Sequence, residues 1–212
     1  MRMSSIGHLE GFYYRPRIDK EVLRQYAKGT IALSGCMGGE IPQLIHNGAS
    51  SEKINTAIKE YQEIFGADNF FLELQDHPEK EGQVEVNNAL INASKETGAT
   101  LVVSRDVHYL NPDDAEAQDI LTCIKDGKTL DQPGRFSMRH IDRSFNTGDD
   151  IASLFQHIPS ALENTVKIAD RCNVEIPLDL WHFPDVKLPE GKTAEMVLGE
   201  MVNEGLTRRY QE

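Results

Sequence analysis

The chain has 212 residues and a formal net charge of −12, from 22 lysines and arginines against 34 aspartates and glutamates. This negative balance repels a phosphate backbone, which excludes a basic nucleic-acid clamp and leaves only local or cation-assisted contacts with DNA. The apolar content of 39% and the charged content of 26% are ordinary for a globular protein. No apolar run approaches the ~20 residues that span a bilayer, so we expect no membrane role.

The N-terminus and the cysteines indicate where the protein works. The first residues contain no apolar core of signal-peptide length, and the three cysteines are spread widely along the chain. This pattern favours a reducing, cytoplasmic location. The length allows one large domain, or one domain followed by the start of another.

The first half of the chain alternates predicted strands and predicted helices. Strands are predicted from Thr30 to a break at Gly35, over 69–75 and over 100–108. Helices are predicted over 19–28, 51–65 and 84–97, and each is followed by a glycine. Strands separated by helices of this length predict parallel pairing, in either a barrel or an open α/β sheet.

The second half is predicted to be mainly helical. A helix over 111–125 is followed by a polar connection over 128–149, which contains a candidate short strand over 136–138. Further helices are predicted over 149–156, 159–172 and 193–210. A proline-rich stretch over 173–187 precedes the last of these helices, and we interpret it as a domain exit.

Three side chains that bind metals follow predicted strands. Cys36 comes after the first strand, and Asp106 and His108 end the third. Because parallel strands place their carboxyl ends at one edge, these side chains could share a cavity, and their donor atoms suit zinc or a neighbouring transition metal. The alternatives are a packed cysteine and a turn that enters a helix at Asn111 and Pro112.

Further candidates lie near the same predicted cleft. Glu73 and His77 end the second strand, where a carboxylate and an imidazole could bind metal or move a proton. The alternative is that both only form hydrogen bonds with the next loop. His8 is a further cleft candidate.

The polar connection carries the best candidates for contact with phosphate. These are Arg135, Arg139 and Arg143. The alternative is an ordinary solvated loop without a ligand.

Five segments in order resemble the PHP (polymerase and histidinol phosphatase) domain of the alpha subunit of bacterial DNA polymerase III. They are Gly11–Asp19, Leu33–Glu40, Phe71–His77, Arg105–Tyr109 and Asp126–Leu130. The resemblance covers nearly the whole chain. Residues 163–173 resemble the helix that leaves that domain, and residues 193–210 are similar to the opening of the polymerase portion.

This resemblance implies a fold class and a domain division. We expect an α/β fold, an incomplete PHP-type distorted (βα)7 barrel lacking its N-terminal strands, followed by helical segments. Residues 1–175 would be the C-terminal part of the PHP domain, and residues 176–212 a linker and the start of the palm and thumb region. The upstream His-x-His motif of the family has no counterpart, so the chain resembles an N-terminally truncated piece that is inactive alone, self-associates or is completed by a partner.

The resemblance also implies ligands. Cys36 corresponds to the cysteine ligand of the family's Ser-Gly-Cys motif, and Asp106 and His108 correspond to its last Asp-x-His ligands. The complete family site holds Zn²⁺, or Mn²⁺ or Mg²⁺, which would activate water for phosphodiester hydrolysis as a 3′–5′ exonuclease.

The implied parent is a replicative DNA-directed DNA polymerase, a nucleotidyltransferase that uses Mg²⁺. Its polymerase aspartates would lie beyond residue 212. The implied partners are DNA, deoxynucleotides, the sliding clamp and a proofreading subunit. The alternative is a non-catalytic PHP scaffold that stabilises the polymerase and binds the proofreading subunit. A free-standing phosphoesterase is disfavoured by the polymerase-like segments after residue 160.

Overall fold

The computed structural model describes residues 1–181 and 183–210. The chain divides into two compact units, one of residues Met1–Cys172 and the other beginning at Asn173. Within the described ranges, no helix is long and apolar enough to cross a membrane.

The first unit contains a small parallel sheet of three strands. They are β1 (Ala32–Leu33), β2 (Phe70–Gln75) and β3 (Thr100–Ser104), in the order β1-β2-β3. Both pairings are parallel, which confirms the α/β reading of the sequence. All three carboxyl ends therefore lie at one edge of the sheet.

Helices precede, separate and follow these strands along the chain. In chain order they are α1 (Arg2–Leu9), α2 (Lys20–Tyr26), α3 (Glu40–His46), α4 (Ser51–Phe65), α5 (Gln83–Thr97), α6 (Ala115–Asp126), α7 (Gly148–Leu154), α8 (Pro159–Arg171) and α9 (Ala194–Tyr210). Short 3₁₀ turns occupy Ala67–Asn69 and Pro112–Asp114.

The helix α4 shows why the sequence folds as it does. The Ser50 side chain accepts a hydrogen bond from the Lys53 amide and caps the first turn. Ile54 and Ile58 lie one turn apart and are buried. Gly66 ends the helix with a φ of 89°, a backbone conformation that glycine adopts without strain.

The hydrophobic core lies between the sheet and its helices. Alternate residues of β2 point to opposite faces, so Phe70, Leu72 and Leu74 share one face, and all three are buried in the core cluster with side chains from α4 and α5. On the outer side of β3, the Asn164 side chain of α8 donates a hydrogen bond to the Leu101 carbonyl at 2.8 Å. This contact covers part of an edge strand that would otherwise offer unpaired backbone groups.

Some elements differ from the sequence-based expectations. The helices α1 and α3 were not predicted, and the third strand ends at Ser104 rather than at residue 108. The candidate strand over 136–138 does not form, because no β-ladder partner lies beside these residues in the described structure. A parallel bridge instead joins Tyr109 to Ser144.

The second unit contains the helix α9, which buries none of its own residues. It follows residues 173–193, which contain no helix or strand in their described part. Within this unit, the Lys192 ammonium pairs with the Glu200 carboxylate at 2.5 Å.

Candidate functional site

Polar side chains link the carboxyl ends of the three strands. The Glu73 amide donates to the Ser34 hydroxyl at 2.9 Å, which joins β2 to the residue after β1. The Glu73 carboxylate accepts hydrogen bonds from the Gln75 amide at 2.9 Å and from the Ser104 hydroxyl. Glu73 is therefore engaged within a half-buried network across the sheet edge.

His77 lies beyond the end of β2 and is only 1% exposed. Neither ring nitrogen has a hydrogen-bond partner among the described residues. Burial lowers the pKa of His77, and the nearby positive charges of Arg143 and Arg105 lower it further. The ring is therefore kept neutral inside the protein.

Asp106 and His108 form a local pair just after β3. Asp106 has a φ of 48°, in the left-handed region that residues other than glycine seldom occupy. The Nδ1 atom of His108 lies 2.6 Å from the Asp106 carbonyl oxygen. Because a carbonyl oxygen only accepts, Nδ1 is the donor in this bond, and a neutral ring then has its lone pair on Nε2. This is the tautomer that a histidine uses when it binds a metal through Nε2.

Arg143 approaches this pair from the polar connection. Its side chain is 3% exposed, and its Nη1 atom pairs with Oδ2 of Asp106. The other carboxylate oxygen, Oδ1, lies 4.0 Å from Nδ1 of His108. The sequence-based interpretation of a solvated Arg143 is therefore wrong, because the guanidinium is buried against a carboxylate.

The main chain around Arg143 runs beside residues 108–110. The His108 amide donates to the Arg143 carbonyl at 3.0 Å, and the Phe145 amide donates to the Leu110 carbonyl at 3.1 Å. The Tyr109 hydroxyl accepts from the Arg143 amide at 2.9 Å and lies 3.2 Å from the Ile141 carbonyl, to which it donates. These bonds fix the backbone that carries Arg143.

Arg105 fastens the same region to the end of β2. Its guanidinium donates to the Asp76 carbonyl and, at 2.8 Å, to the Asn146 side-chain oxygen. It also pairs with the Asp142 carboxylate at 3.3 Å. Arg105 therefore connects β2, β3 and the connection after α6.

Cys36 lies in a tight turn between β1 and α3 and is half-buried. The Gly39 amide donates to the Cys36 carbonyl at 2.8 Å and closes this turn. A Cβ atom on Gly39 would lie 2.1 Å from the Ser34 carbonyl oxygen, so the turn requires glycine there.

These residues fit a metal site only in part. Asp106 and His108 offer two suitable donor atoms in one place. Nevertheless, no group of three or more His, Cys, Asp or Glu side chains in residues 1–181 and 183–210 is placed to hold a metal ion. Because zinc sites in proteins use three or four protein ligands, the described residues do not form a complete metal centre.

The other predicted site residues have separate environments. His8 lies at the end of α1, exposed, with Nδ1 2.9 Å from the Ser4 carbonyl oxygen. The Arg135 guanidinium binds both oxygens of Asp119, at 2.8 and 2.6 Å. The Arg139 side chain is 58% exposed and lies 3.6 Å from the Glu116 carboxylate. Contact with phosphate stays a prediction for Arg135, Arg139 and Arg143, of which Arg139 has the most exposed side chain.

Comparison with known proteins gives consistent similarities. The sequence profile of the PHP domain family matches residues 1–77, which include Cys36 and His77 but not Asp106 or His108. The DNA polymerase III subunit alpha of Treponema pallidum is 40% identical over 99% of the chain, and that of Borreliella burgdorferi is 39% identical over 100%. The same subunit of Thermus aquaticus is 37% identical over 99%. The chain spans 18% of the length of each of these relatives.

Proposed function

We infer that this chain belongs to the DNA polymerase III alpha subunit family, of which it matches a PHP-containing segment. We propose that it serves a DNA-directed DNA polymerase in DNA replication. Polymerization, with Mg²⁺, deoxynucleotides and DNA as its cofactor and substrates, then belongs to the whole polymerase. The sliding clamp and the proofreading subunit are its proposed partners, and the cytoplasm is its proposed location. The chain alone is proposed to be inactive and to self-associate.

The segment itself is proposed to supply part of a metal site for 3′–5′ phosphodiester hydrolysis. Cys36, Asp106 and His108 would donate to Zn²⁺, or to Mn²⁺ or Mg²⁺. The observation that carries this proposal is the bond between His108 Nδ1 and the Asp106 carbonyl, which leaves the lone pair of a neutral ring on Nε2. Further donors are needed, since these three do not form a group in the described structure.

The architecture that accompanies this function is part of the proposal. Residues 1–175 would be the C-terminal part of a PHP domain, an incomplete distorted barrel. Residues 176–212 would be a linker and the start of the polymerase region. The three parallel strands with adjacent helices fit a barrel-type arrangement. They also fit an open sheet, because parallel strands with covering helices build both.

A second function is a PHP scaffold that stabilises the polymerase and binds the proofreading subunit without hydrolysis. It is favoured by the ion pair between Asp106 and Arg143, in which a protein cation already neutralises the carboxylate.

The two functions are separated by an experiment on the whole polymerase. Asp106→Asn should abolish metal-dependent removal of a 3′ nucleotide and reduce the bound zinc measured by elemental analysis, while polymerization continues. Asp113→Asn, in an exposed turn, is the matched control and should leave both unchanged. Unaltered cleavage and metal content in Asp106→Asn would contradict the hydrolytic function, and an absence of metal-dependent cleavage in the unchanged protein would favour the scaffold.

A further inference from the structure

Arg143 is connected to the Asp106–His108 pair by both its side chain and its backbone. The guanidinium pairs with one oxygen of Asp106, and the Arg143 carbonyl accepts the His108 amide at 3.0 Å. The residue is 37 positions away from Asp106 in sequence. Such a long-range double connection indicates more than a surface ion pair.

We propose that Arg143 is a positioning residue that holds Asp106 in its left-handed backbone conformation and thereby fixes His108 in the Nδ1–H tautomer. Asp106 connects Arg143 to His108. Its side chain binds Arg143, and its carbonyl oxygen accepts the His108 Nδ1 proton. Both groups belong to one residue, so a rotation of that residue would move them together.

The conformation of Asp106 requires such a restraint. A left-handed backbone is unfavourable for a residue with a side chain, and it persists when the surroundings determine it. The ion pair supplies this restraint. If the Asp106 carboxylate moved away, the Arg143 guanidinium, whose side chain is 3% exposed, would be buried without a counter-charge. The pair uses Oδ2, and the other carboxylate oxygen, Oδ1, lies 4.0 Å from His108 Nδ1.

The backbone of Arg143 is itself held rigidly. The Tyr109 hydroxyl accepts from the Arg143 amide and donates to the Ile141 carbonyl. Ser144 pairs with Tyr109 in a parallel bridge. The backbone of Arg143 is therefore held against the segment that carries His108.

The test measures the tautomer of His108 without any metal. Nitrogen-15 NMR of the full chain, at a pH where imidazole is neutral, distinguishes Nδ1–H from Nε2–H. We expect Nδ1–H in the unchanged protein and a shift towards Nε2–H, the form favoured by free imidazole, in Arg143→Met. Arg143→Lys, which retains a cation, should restore part of the Nδ1–H population. Arg139→Met, at an exposed arginine, is the matched control and should show no shift.

The result that overturns the proposal is a folded Arg143→Met protein in which His108 keeps the Nδ1–H tautomer. If Arg143→Met does not fold, Arg143→Gln decides the question, because it removes the charge from the pair, keeps a polar side chain at the buried position and leaves Asp106 itself unchanged. The same shift then supports the proposal, and an unchanged tautomer overturns it.

Discussion

The Asp119 carboxylate shows how single charged residues are controlled in the second half of the first unit. The Arg135 guanidinium and then the Ser137 hydroxyl hold the pKa of Asp119 at about 2, below its ordinary value of 3.8. A lowered pKa in the folded state means that the unfolded state takes up the proton first as the pH falls. The stability from this pair is therefore present above pH 3.8 and is lost as the pH falls towards 2.

The replacement Asp119→Asn tests this dependence. It should lower the urea midpoint above pH 3.8 and remove part of the loss of stability between that pH and 2. Urea denaturation followed by circular dichroism across this range measures both effects. Asp113→Asn, at an exposed carboxylate, should retain the pH profile of the unchanged protein. An identical profile for Asp119→Asn would contradict the assignment.

At the same scale, the spacing of residues in the sequence indicated neighbours within one segment better than contacts between distant segments. Asp106 and His108 were identifiable because an Asp-x-His spacing after a strand brings two donors together. The role of Arg143 was not, since its partner lies 37 positions away in sequence. The burial of His77 also depends on long-range packing, and a histidine after a strand gives no local signal for it. A spacing within one segment is visible in sequence, whereas an ion pair between distant segments is visible only in the fold.

Among the elements, the turn between β1 and α3 provides a sharp test of close packing. A Cβ atom at Gly39 would lie 2.1 Å from the Ser34 carbonyl, whereas one at Gly38 would meet nothing closer than the Cys36 sulfur at 3.9 Å. Gly39→Ala should therefore destabilise the protein by about 2 kcal/mol, because the backbone must shift to relieve the overlap. Gly38→Ala should change the free energy of unfolding much less. Urea denaturation measures both, and equal effects would contradict this explanation.

The contact between α3 and α4 provides a second test. The Tyr61 hydroxyl donates to the Glu40 carboxylate at 2.7 Å, and the Tyr61 ring stacks on Phe70 at 5.1 Å. Burial, followed by the bond to Glu40, raises the pKa of Tyr61 to about 12. Tyr61→Phe keeps the stacking and removes the bond, so it should lower the free energy of unfolding by about 1 kcal/mol.

The matched control for this contact is Tyr26→Phe. The Tyr26 ring lies under the Arg2 guanidinium at 4.9 Å, a contact that phenylalanine retains. It should leave the urea midpoint nearly unchanged. A Tyr61→Phe protein as stable as the unchanged one would show that the bond to Glu40 adds nothing to the ring packing.

The predictability of elements followed the strength of their local signals. The helices α4 and α5 combine a buried face with a glycine at the end, and both were predicted nearly to their observed bounds. The helix α1 was missed because its eight residues bury only Gly7, which leaves no apolar face to recognise. The helix α3 was not predicted; it has only seven residues and contains Pro42. Proline is nevertheless tolerated in the first turn of a helix, where its position lacks an intrahelical partner.

At the scale of the whole molecule, the two edge strands of the sheet differ in how far they are covered. β3 is covered in part by α8, through the bond from Asn164 to Leu101. β1 is only two residues long and ends in Leu33, which is 40% exposed. The parallel pairing of the strands followed from sequence, because strands separated by helices of this length pair in parallel through crossover connections. The number of strands in a complete barrel could not be predicted from sequence, because a barrel closes only through pairing along the whole sheet.

The helix α9 provides the last test, because its apolar side chains are unusually exposed for a helix. Those more than half exposed are Met196, Leu198, Met201, Val202 and Tyr210. Exposed apolar surface of this kind favours association, because contact with another apolar surface removes it from water. We therefore expect the 212-residue chain to self-associate in a concentration-dependent way.

Sedimentation velocity over a range of concentrations measures this association. The double replacement Leu198→Gln and Met201→Gln should shift the distribution towards the monomer, because it removes apolar surface without adding charge. The control Asn203→Gln lies on the same helix and replaces one amide by another, so it should sediment like the unchanged chain. A monomer at every concentration would contradict the expectation, and so would association that the double replacement leaves intact, because the contact would then lie outside α9.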